Sequence, residues 1–316
     1  MKELVVISGK GGTGKTSVVA AFAALAERAV MVDCDVDAAD LHLVLEPRIL
    51  RREDFTAGSK ARVRPGHCTA CGKCEELCRF GAIYYNGPGN GRVPKTFRVD
   101  PLACEGCGVC FDSCSDKAIA FEAAVSGQWF VSETRYGPMV HARLGVAAEN
   151  SGKLVMQLRR TAQDVAAQQR RDSILCDGSP GIGCAVIASL TGASLALFVV
   201  EPTASGTHDF LRVAQLAMRL GVPGIIAVNK ADLNEDAAKA LEELARQRGI
   251  ATVGRIPYDR AVTQAQIARK TVVEASTGPA AQALRSLWVA TQRRLHLGAP
   301  AAAGDLVHPL PSHQPG

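Results

Sequence analysis

Two features that would narrow the function of this chain at once are missing: an apolar run long enough to cross a membrane, and a basic patch interleaved with aromatic residues. The longest apolar runs, such as Ser194 to Val200, fall far short of the about 20 residues that a spanning helix needs. The formal charge of +5 over 316 residues is a mild excess. No local Lys/Arg cluster carries the aromatic or groove-reading side chains of a nucleic-acid site. No charged, apolar and cleavage-site regions precede the strand pattern that begins at Glu3, so a secretory leader is not expected. A cytoplasmic protein without membrane span or nucleic-acid partner is the expectation.

Cysteine, in contrast, is plentiful. Of eleven cysteines, eight lie between Cys68 and Cys114, and in a reducing compartment such crowding points to metal rather than to disulfides. They form two runs, Cys68-x2-Cys71-x2-Cys74-x3-Cys78 and Cys104-x2-Cys107-x2-Cys110-x3-Cys114. Each cysteine of the first run has a mate 36 positions later, and Ala82 and Ile83 recur as Ala118 and Ile119, so the segment is an internal repeat. Three thiolates two residues apart can wrap one face of a cubane, while the fourth of the run reaches the other copy's cluster. That spacing assigns one [4Fe-4S] cluster to Cys68, Cys71, Cys74 and Cys114, and a second to Cys104, Cys107, Cys110 and Cys78. Structural zinc is the alternative, but duplicated four-cysteine runs fit it poorly. The segment from Pro65 to Glu122 resembles a bacterial-type two-cluster ferredoxin. It departs from that pattern where Arg79 and Ser115 replace the proline that usually follows the fourth cysteine. Gly72, Gly106 and Gly108 would let backbone amides approach the sulfurs.

Around this block the texture is α/β, and the 47% hydrophobic content allows a substantial core. The apolar run before Ser8 reads as a buried parallel strand, and Thr16 to about Arg28 as a helix. Ala29 to Leu45 reads as a second strand with acidic residues, and the Arg-rich stretch from Pro47 as a linker. Later, 173–181, 195–203 and 224–232 each deliver polar residues at the end of an apolar run, with helical patterns at 209–220 and 235–248. The predicted fold class is α/β, a doubly wound mostly parallel sheet of the P-loop NTPase type with an inserted small α+β ferredoxin domain. The P-loop domain is discontinuous, 1–47 and 123–294, the insert is 60–122, and 295–316 is a disordered tail. His308 and His313 in that tail read as solvated.

Gly9 to Thr16, GKGGTGKT, satisfies G-x4-G-K-T between strand and helix. Its glycines Gly9, Gly11, Gly12 and Gly14 let backbone amides of Thr13 and its neighbours curl around phosphates. Lys15 reaches the β- and γ-phosphates, the Thr16 hydroxyl ligates Mg²⁺, and Ser17 completes the site. Asp177 stands where a Walker B aspartate holds Mg²⁺ through water, and Asp33 and Asp35 in DCDVD end the second strand. Asp37 and Asp40 rank lower as turn residues.

KGGTGKT, the DxD switch and CDGSPGIG together resemble the deviant Walker A ATPases that include MinD, ParA, the nitrogenase iron protein and Mrp-type carriers. The resemblance implies ATP and Mg²⁺ as cofactors and a homodimer formed on ATP binding, in which Lys10 reaches the partner's phosphates. It gives Asp35 a part in positioning the hydrolytic water, places Asp33 and Asp177 near Mg²⁺, and makes Lys10, Lys15 and Asp35 the catalytic set. It also implies that Asn229 contacts adenine and that the Pro257 loop packs on the base. The stretch Asn229 to Asp232 also looks like the guanine-reading NKxD of GTPases. ATP is favoured for want of a Ser-Ala-Lys loop.

A MinD-like ATPase interrupted by a two-cluster ferredoxin resembles a recognised group with that insertion, with further matches at Arg135 to Gly145, Ser151 to Val155 and Glu201 to Asp209. Three functions are compatible: an ATP-gated electron donor to an unidentified redox partner, a carrier or maturation factor passing an iron-sulfur or other metallocofactor to an acceptor protein, and a redox-sensing regulatory nucleotide switch. Cys184 stands at the offset of a dimer-bridging ligand but lacks a convincing mate in Cys34 or Cys176. His141, Trp129 and Phe130 read as structural.

Overall fold

The computed structural model describes residues 1–145 and 151–297. The chain opens with β1 (Lys2–Ile7), α1 (Lys15–Leu25), β2 (Ala29–Asp33), the short α2 (Leu41–Leu45) and β3 (Arg48–Val63). The cysteine segment contributes α3 (Lys73–Glu76), β4 (Ile83–Gly87), β5 (Thr96–Val99) and α4 (Val109–Asp112). The chain returns through β6 (Ile119–Thr134) and β7 (Gly137–Leu144) to α5 (Ser151–Gln168), β8 (Ser173–Asp177), α6 (Cys184–Leu190) and β9 (Leu195–Val200). It finishes with α7 (Ala204–Arg219), β10 (Gly224–Asn229), α8 (Glu235–Gln247), β11 (Ala251–Ile256), α9 (Arg260–Ile267), α10 (Val272–Ala275) and α11 (Pro279–Leu297).

Among the described residues nine strands form one sheet in the order β11-β10-β9-β1-β8-β2-β7-β6-β3, and β4 pairs with β5 separately. From β11 to β7 neighbouring strands run parallel. β6 lies antiparallel to β7, and β3 antiparallel to β6. Parallel strands need both faces covered, and their side chains alternate between two cores. Val5 and Ile7 join Leu154, Leu158, Val186, Phe210 and Leu241 of the helices on one face. Leu4 and Val6 join Phe22, Leu41, Ala265, Leu284 and Trp288 on the other. The doubly wound sheet expected from the alternating strand and helix pattern is present. Its strand order reverses around β1, so the crevice for a ligand opens where β1 hands over to α1.

Three local expectations change. The strand expected over Ala29 to Leu45 stops at Asp33, because the Asp33 carboxylate accepts from the Asp35 and Leu41 amides, each at 3.2 Å, and folds the chain back into α2. The linker expected after Pro47 is β3, a strand of 16 residues with only Phe55, Ala61 and Val63 buried. It is largely exposed and held by pairing with β6, which is why little apolar periodicity marks it. The strands therefore run through positions 60 and 122. α11 continues past 294 to Leu297, and the rest of the expected tail, with His308 and His313, lies outside the described residues.

A separate core forms under the cysteines. Ala61, Val63, Ala82, Ile83, Phe97, Val99, Ala118 and Ile119 are buried there with Cys68 and Cys104. The recurring Ala-Ile pairs are thus both part of this core.

Candidate functional site

The loop between β1 and α1 is shaped by glycine where nothing else fits. A Cβ on Gly9 would overlap the backbone of Asp209 in α7, and one on Gly14 would lie 2.5 Å from Asn229 Nδ2. Gly12 (φ 77°) and Gly14 (φ 91°) also occupy the left-handed region. Ser8 Oγ donates to the Lys10 carbonyl at 2.6 Å, and Asn229 Nδ2 donates to the Thr13 carbonyl at 2.7 Å, so both sides of the loop are tied down.

A cavity of about 400 Å³ opens over this loop. Gly11, Gly12, Gly14, Lys15, Thr16, Ser17, Asp35, Asn229 and Pro257 of the sequence-derived set line it, together with Lys230, Tyr258, Thr263 and Gln266. Lys230 and Tyr258 fall in the two stretches read from the sequence as facing the base, whereas Thr263 and Gln266 carried no such signal. Gln266 donates to Ser17 Oγ at 2.9 Å from α9, a juxtaposition without a sequence signal. Asp232, the aspartate a guanine reader would need, does not line the cavity and accepts the Tyr258 amide at 2.6 Å. A larger cavity of about 870 Å³ beyond α2 contains no P-loop residue.

Lys10 does not line the cavity of its own loop. Its ammonium stands 3.4 Å from Glu201 Oε2 and 3.3 Å from Ser205 Oγ, while Glu201 Oε1 holds Lys230 at 2.6 Å. Lys15 is buried, with its ammonium 3.7 Å from Asp35 Oδ2.

Opposite Lys15, acidic groups converge. Asp33 and Asp177 are in register on β2 and β8, both fully buried. Burial, then the neighbouring Asp177, pushes the Asp33 carboxyl well up. Burial pushes Asp177 up to about 7, with Thr16 and Lys15 pulling the other way. Burial likewise raises Asp35, opposed by Lys15. Neither Asp177 oxygen has a hydrogen-bond partner. An orphaned buried carboxyl is costly unless a cation or donor meets it. Among the described residues no three His, Cys, Asp or Glu side chains could jointly hold a metal ion. The donor set here fits a cation such as Mg²⁺, which keeps several waters and takes one or two carboxylates plus substrate phosphates.

The profile of the CbiA family, described as the CobQ/CobB/MinD/ParA nucleotide binding domain, matches residues 4–272. The chain belongs to this family. An uncharacterised protein of Methanocaldococcus jannaschii, MJ0578, is 32% identical over 241 residues, covering 73% of this chain and 79% of that protein. A second from the same organism, MJ0579, is 23% identical over 243 residues, covering 74% and 83%. Among solved structures, the cell division ATPase MinD of Pyrococcus furiosus aligns with a TM-score of 0.56 at 18% identity, over 92% of this chain and 98% of that one. The MinD of Pyrococcus horikoshii complexed with Mg-ADP gives 0.55 at 17%, over 96% and 99%. The fold of this CobQ/CobB/MinD/ParA member is therefore MinD-like, and no helix among its described residues is long and apolar enough to cross a membrane.

The eight clustered cysteines of this family member gather around two small cavities. Cys68, Cys71, Cys74, Cys110 and Cys114 line one. Cys78, Cys104, Cys107 and Cys110 line the other. Each fourth cysteine of a run thus sits with the other run. The two halves share a local design: Gly72 (φ 86°) and Gly108 (φ 79°) open α3 and α4, which carry Cys74 and Cys110. Amides of Ala82 and Ala118 donate to the sulfurs of Cys78 and Cys114 at 3.4 and 3.3 Å. Burial pushes the Cys74 thiol up to about 11 and raises Cys110. The remaining cysteines stand apart. Cys34 and Cys176 are fully buried, Cys176 donating to Glu3 Oε1 at 3.2 Å, and Cys184 is exposed at the start of α6. His141 is buried against Phe130 and bonded to Ser132 Oγ at 2.9 Å, with burial holding its pKa down to about 4.

Proposed function

We propose that this protein binds and hydrolyses ATP with Mg²⁺ and couples a nucleotide-driven homodimer switch to electron transfer through two [4Fe-4S] clusters. The observation that carries this reading is the continuity of the chain from switch to cysteines. Asp33 and Asp35 lead through α2 directly into β3, whose far end stands under Cys68 and Cys104.

In this reading Lys15 and the loop amides bind the phosphates, Thr16 and Asp177 hold Mg²⁺ with Asp33 behind them, and Asp35 orients the attacking water. Lys10, resting on Glu201 in the single chain, is released to the partner's nucleotide. Asp232, held by the Tyr258 amide, supports ATP over GTP as the nucleotide, with Pro257 and Tyr258 against the base.

The fit of the clusters rests on the donor set. Two cavities each gather cysteines of both runs, and amide donors are aimed at Cys78 and Cys114, as sulfur ligands of a cluster require. Cys68, Cys71, Cys74 and Cys114 would hold one cluster, and Cys104, Cys107, Cys110 and Cys78 the other. Thiols raised by burial become ligands only when a metal displaces their protons. Four thiolates on four separate irons need not converge as the ligands of a single ion do. When bound, the clusters supply one-electron transfer. Residues 60–122 then act as a ferredoxin-like unit on a P-loop ATPase of residues 1–47 and 123–294.

The exposure of Cys71 and Cys107 favours a second reading, in which a cluster is handed to an acceptor. The test is anaerobic ATPase activity and cluster EPR, each with and without the other's input. Coupling predicts ATP-dependent oxidation of the clusters by an acceptor and its loss in Lys10→Ala. Hydrolysis blind to redox state, with EPR blind to nucleotide, rejects coupling. Transfer of iron to an apo-acceptor selects the carrier reading.

A further inference from the structure

The two halves of the cysteine unit repeat each other closely, yet the group that holds the first cysteine of each run differs in charge. Asn90 Nδ2 donates to the Cys68 carbonyl at 2.7 Å and to the Pro65 carbonyl at 2.6 Å. The matching role at Cys104 falls to Lys60, whose ammonium donates to the Cys104 carbonyl from β3. Asn90 and Lys60 are not mates in the repeat, so the sequence periodicity does not pair them. Close approach of the strand to this loop is independently marked by Gly106 (φ 63°), where a Cβ would overlap the Ser59 carbonyl.

The other charges near the two cavities do not reproduce this asymmetry. Lys73 and Asp116 line the Cys68 side, Glu105 lines the Cys104 side and Asp112 stands near Gly108 on that side, but all four side chains are exposed. Exposed charges are screened by water and salt, whereas a half-buried ammonium fixed by a hydrogen bond keeps its field.

Resting on the two-cluster reading above, we propose that Lys60 is a positioning residue that sets the order of reduction. It makes the site of Cys104, Cys107, Cys110 and Cys78 the more readily reduced of the two. Adding one electron adds one negative charge, and a fixed cation beside that site favours the reduced form, while the neutral Asn90 leaves the other site without this bias. With both clusters bound, an electron delivered by an external one-electron reductant would settle at the Cys104 site in preference to the Cys68 site, the reductant being oxidised; no bond is made or broken and no proton is required.

The experiment is an anaerobic, EPR-monitored redox titration of the full chain, with iron counted first. Eight irons per chain and two separable midpoints are the starting result. Fewer than eight overturns the cluster reading beneath this inference, and the inference with it. Lys60→Gln keeps an N–H donor for the Cys104 carbonyl but removes the charge. It is expected to lower the higher midpoint alone and narrow the gap, at unchanged iron content. Lys60→Arg keeps the charge and is expected to leave both midpoints in place. Lys60→Gln with eight irons and unmoved midpoints, or with only the lower midpoint moved, overturns the assignment.

Discussion

Asp177 is a fully buried carboxyl of the nucleotide site with neither oxygen hydrogen-bonded. Its folded-state pKa of about 7 lies above the value of 3.8 for a free carboxyl, so between those values the native state binds more protons than the unfolded chain. Stability without ligand therefore falls as pH rises from about 4 through 7, at about 1.4 kcal/mol per unit of pK difference as an upper bound. Asp177→Asn is expected to flatten that dependence and raise the melting temperature at pH 8, while Mg²⁺-dependent hydrolysis is lost; a thermal melt series across pH checks the first part. Gly14→Ala meets both a left-handed backbone and Asn229, at a cost of roughly 1–3 kcal/mol. It should weaken ATP binding by at least tenfold in a titration, without unfolding the sheet. The phosphate loop around Lys15 and the duplicated cysteine spacing stand out in the residues themselves, whereas the part expected of Lys10 came from the family resemblance. Thr263 and Gln266 did not stand out, because they meet the loop only through α9, a distant element.

At the scale of elements, the pair β3 and β6 decides how the two sites are related. Two strands of 16 residues, each able to reach roughly 50 Å when extended, continue the sheet edge into the cysteine unit. The sequence suggested a linker here because β3 is largely exposed and owes its order to cross-strand pairing rather than to its own pattern. Such a ribbon transmits displacement better than a flexible linker does. Where it abuts the cysteine loop, Gly106→Val would strike the Ser59 carbonyl from a left-handed position. On the two-cluster proposal, the expected outcome is loss of about half the iron with the melting transition of the main sheet retained; iron quantitation beside calorimetry checks this.

For the whole molecule, the resting place of Lys10 bears on assembly. Its pairing with Glu201 is partly exposed and worth at most about 1 kcal/mol. Releasing it should favour a partner-facing Lys10 by a few-fold. Glu201→Gln is expected to lower, about two- to five-fold, the protein concentration at which an ATP-dependent dimer appears in sedimentation. Lys10→Ala should leave nucleotide binding in place and abolish the dimer. A dimer in Lys10→Ala equal to that of the unaltered chain would remove Lys10 from the interface.

The sequence by itself displayed the local patterns from which the site is read: a phosphate loop, acidic strand ends and a duplicated cysteine run, each recognisable from spacing alone. It also determined the doubly wound sheet, because continuous apolar runs alternating with helices can bury both faces in few other ways. Tertiary structure alone decided where the Asn229 amide is tied, that Lys10 rests on Glu201, that Asp177 lacks a partner, and that Lys60 meets one cysteine run while Asn90 meets the other. Each depends on side chains brought together across long stretches of chain, and no periodicity in the sequence records such meetings.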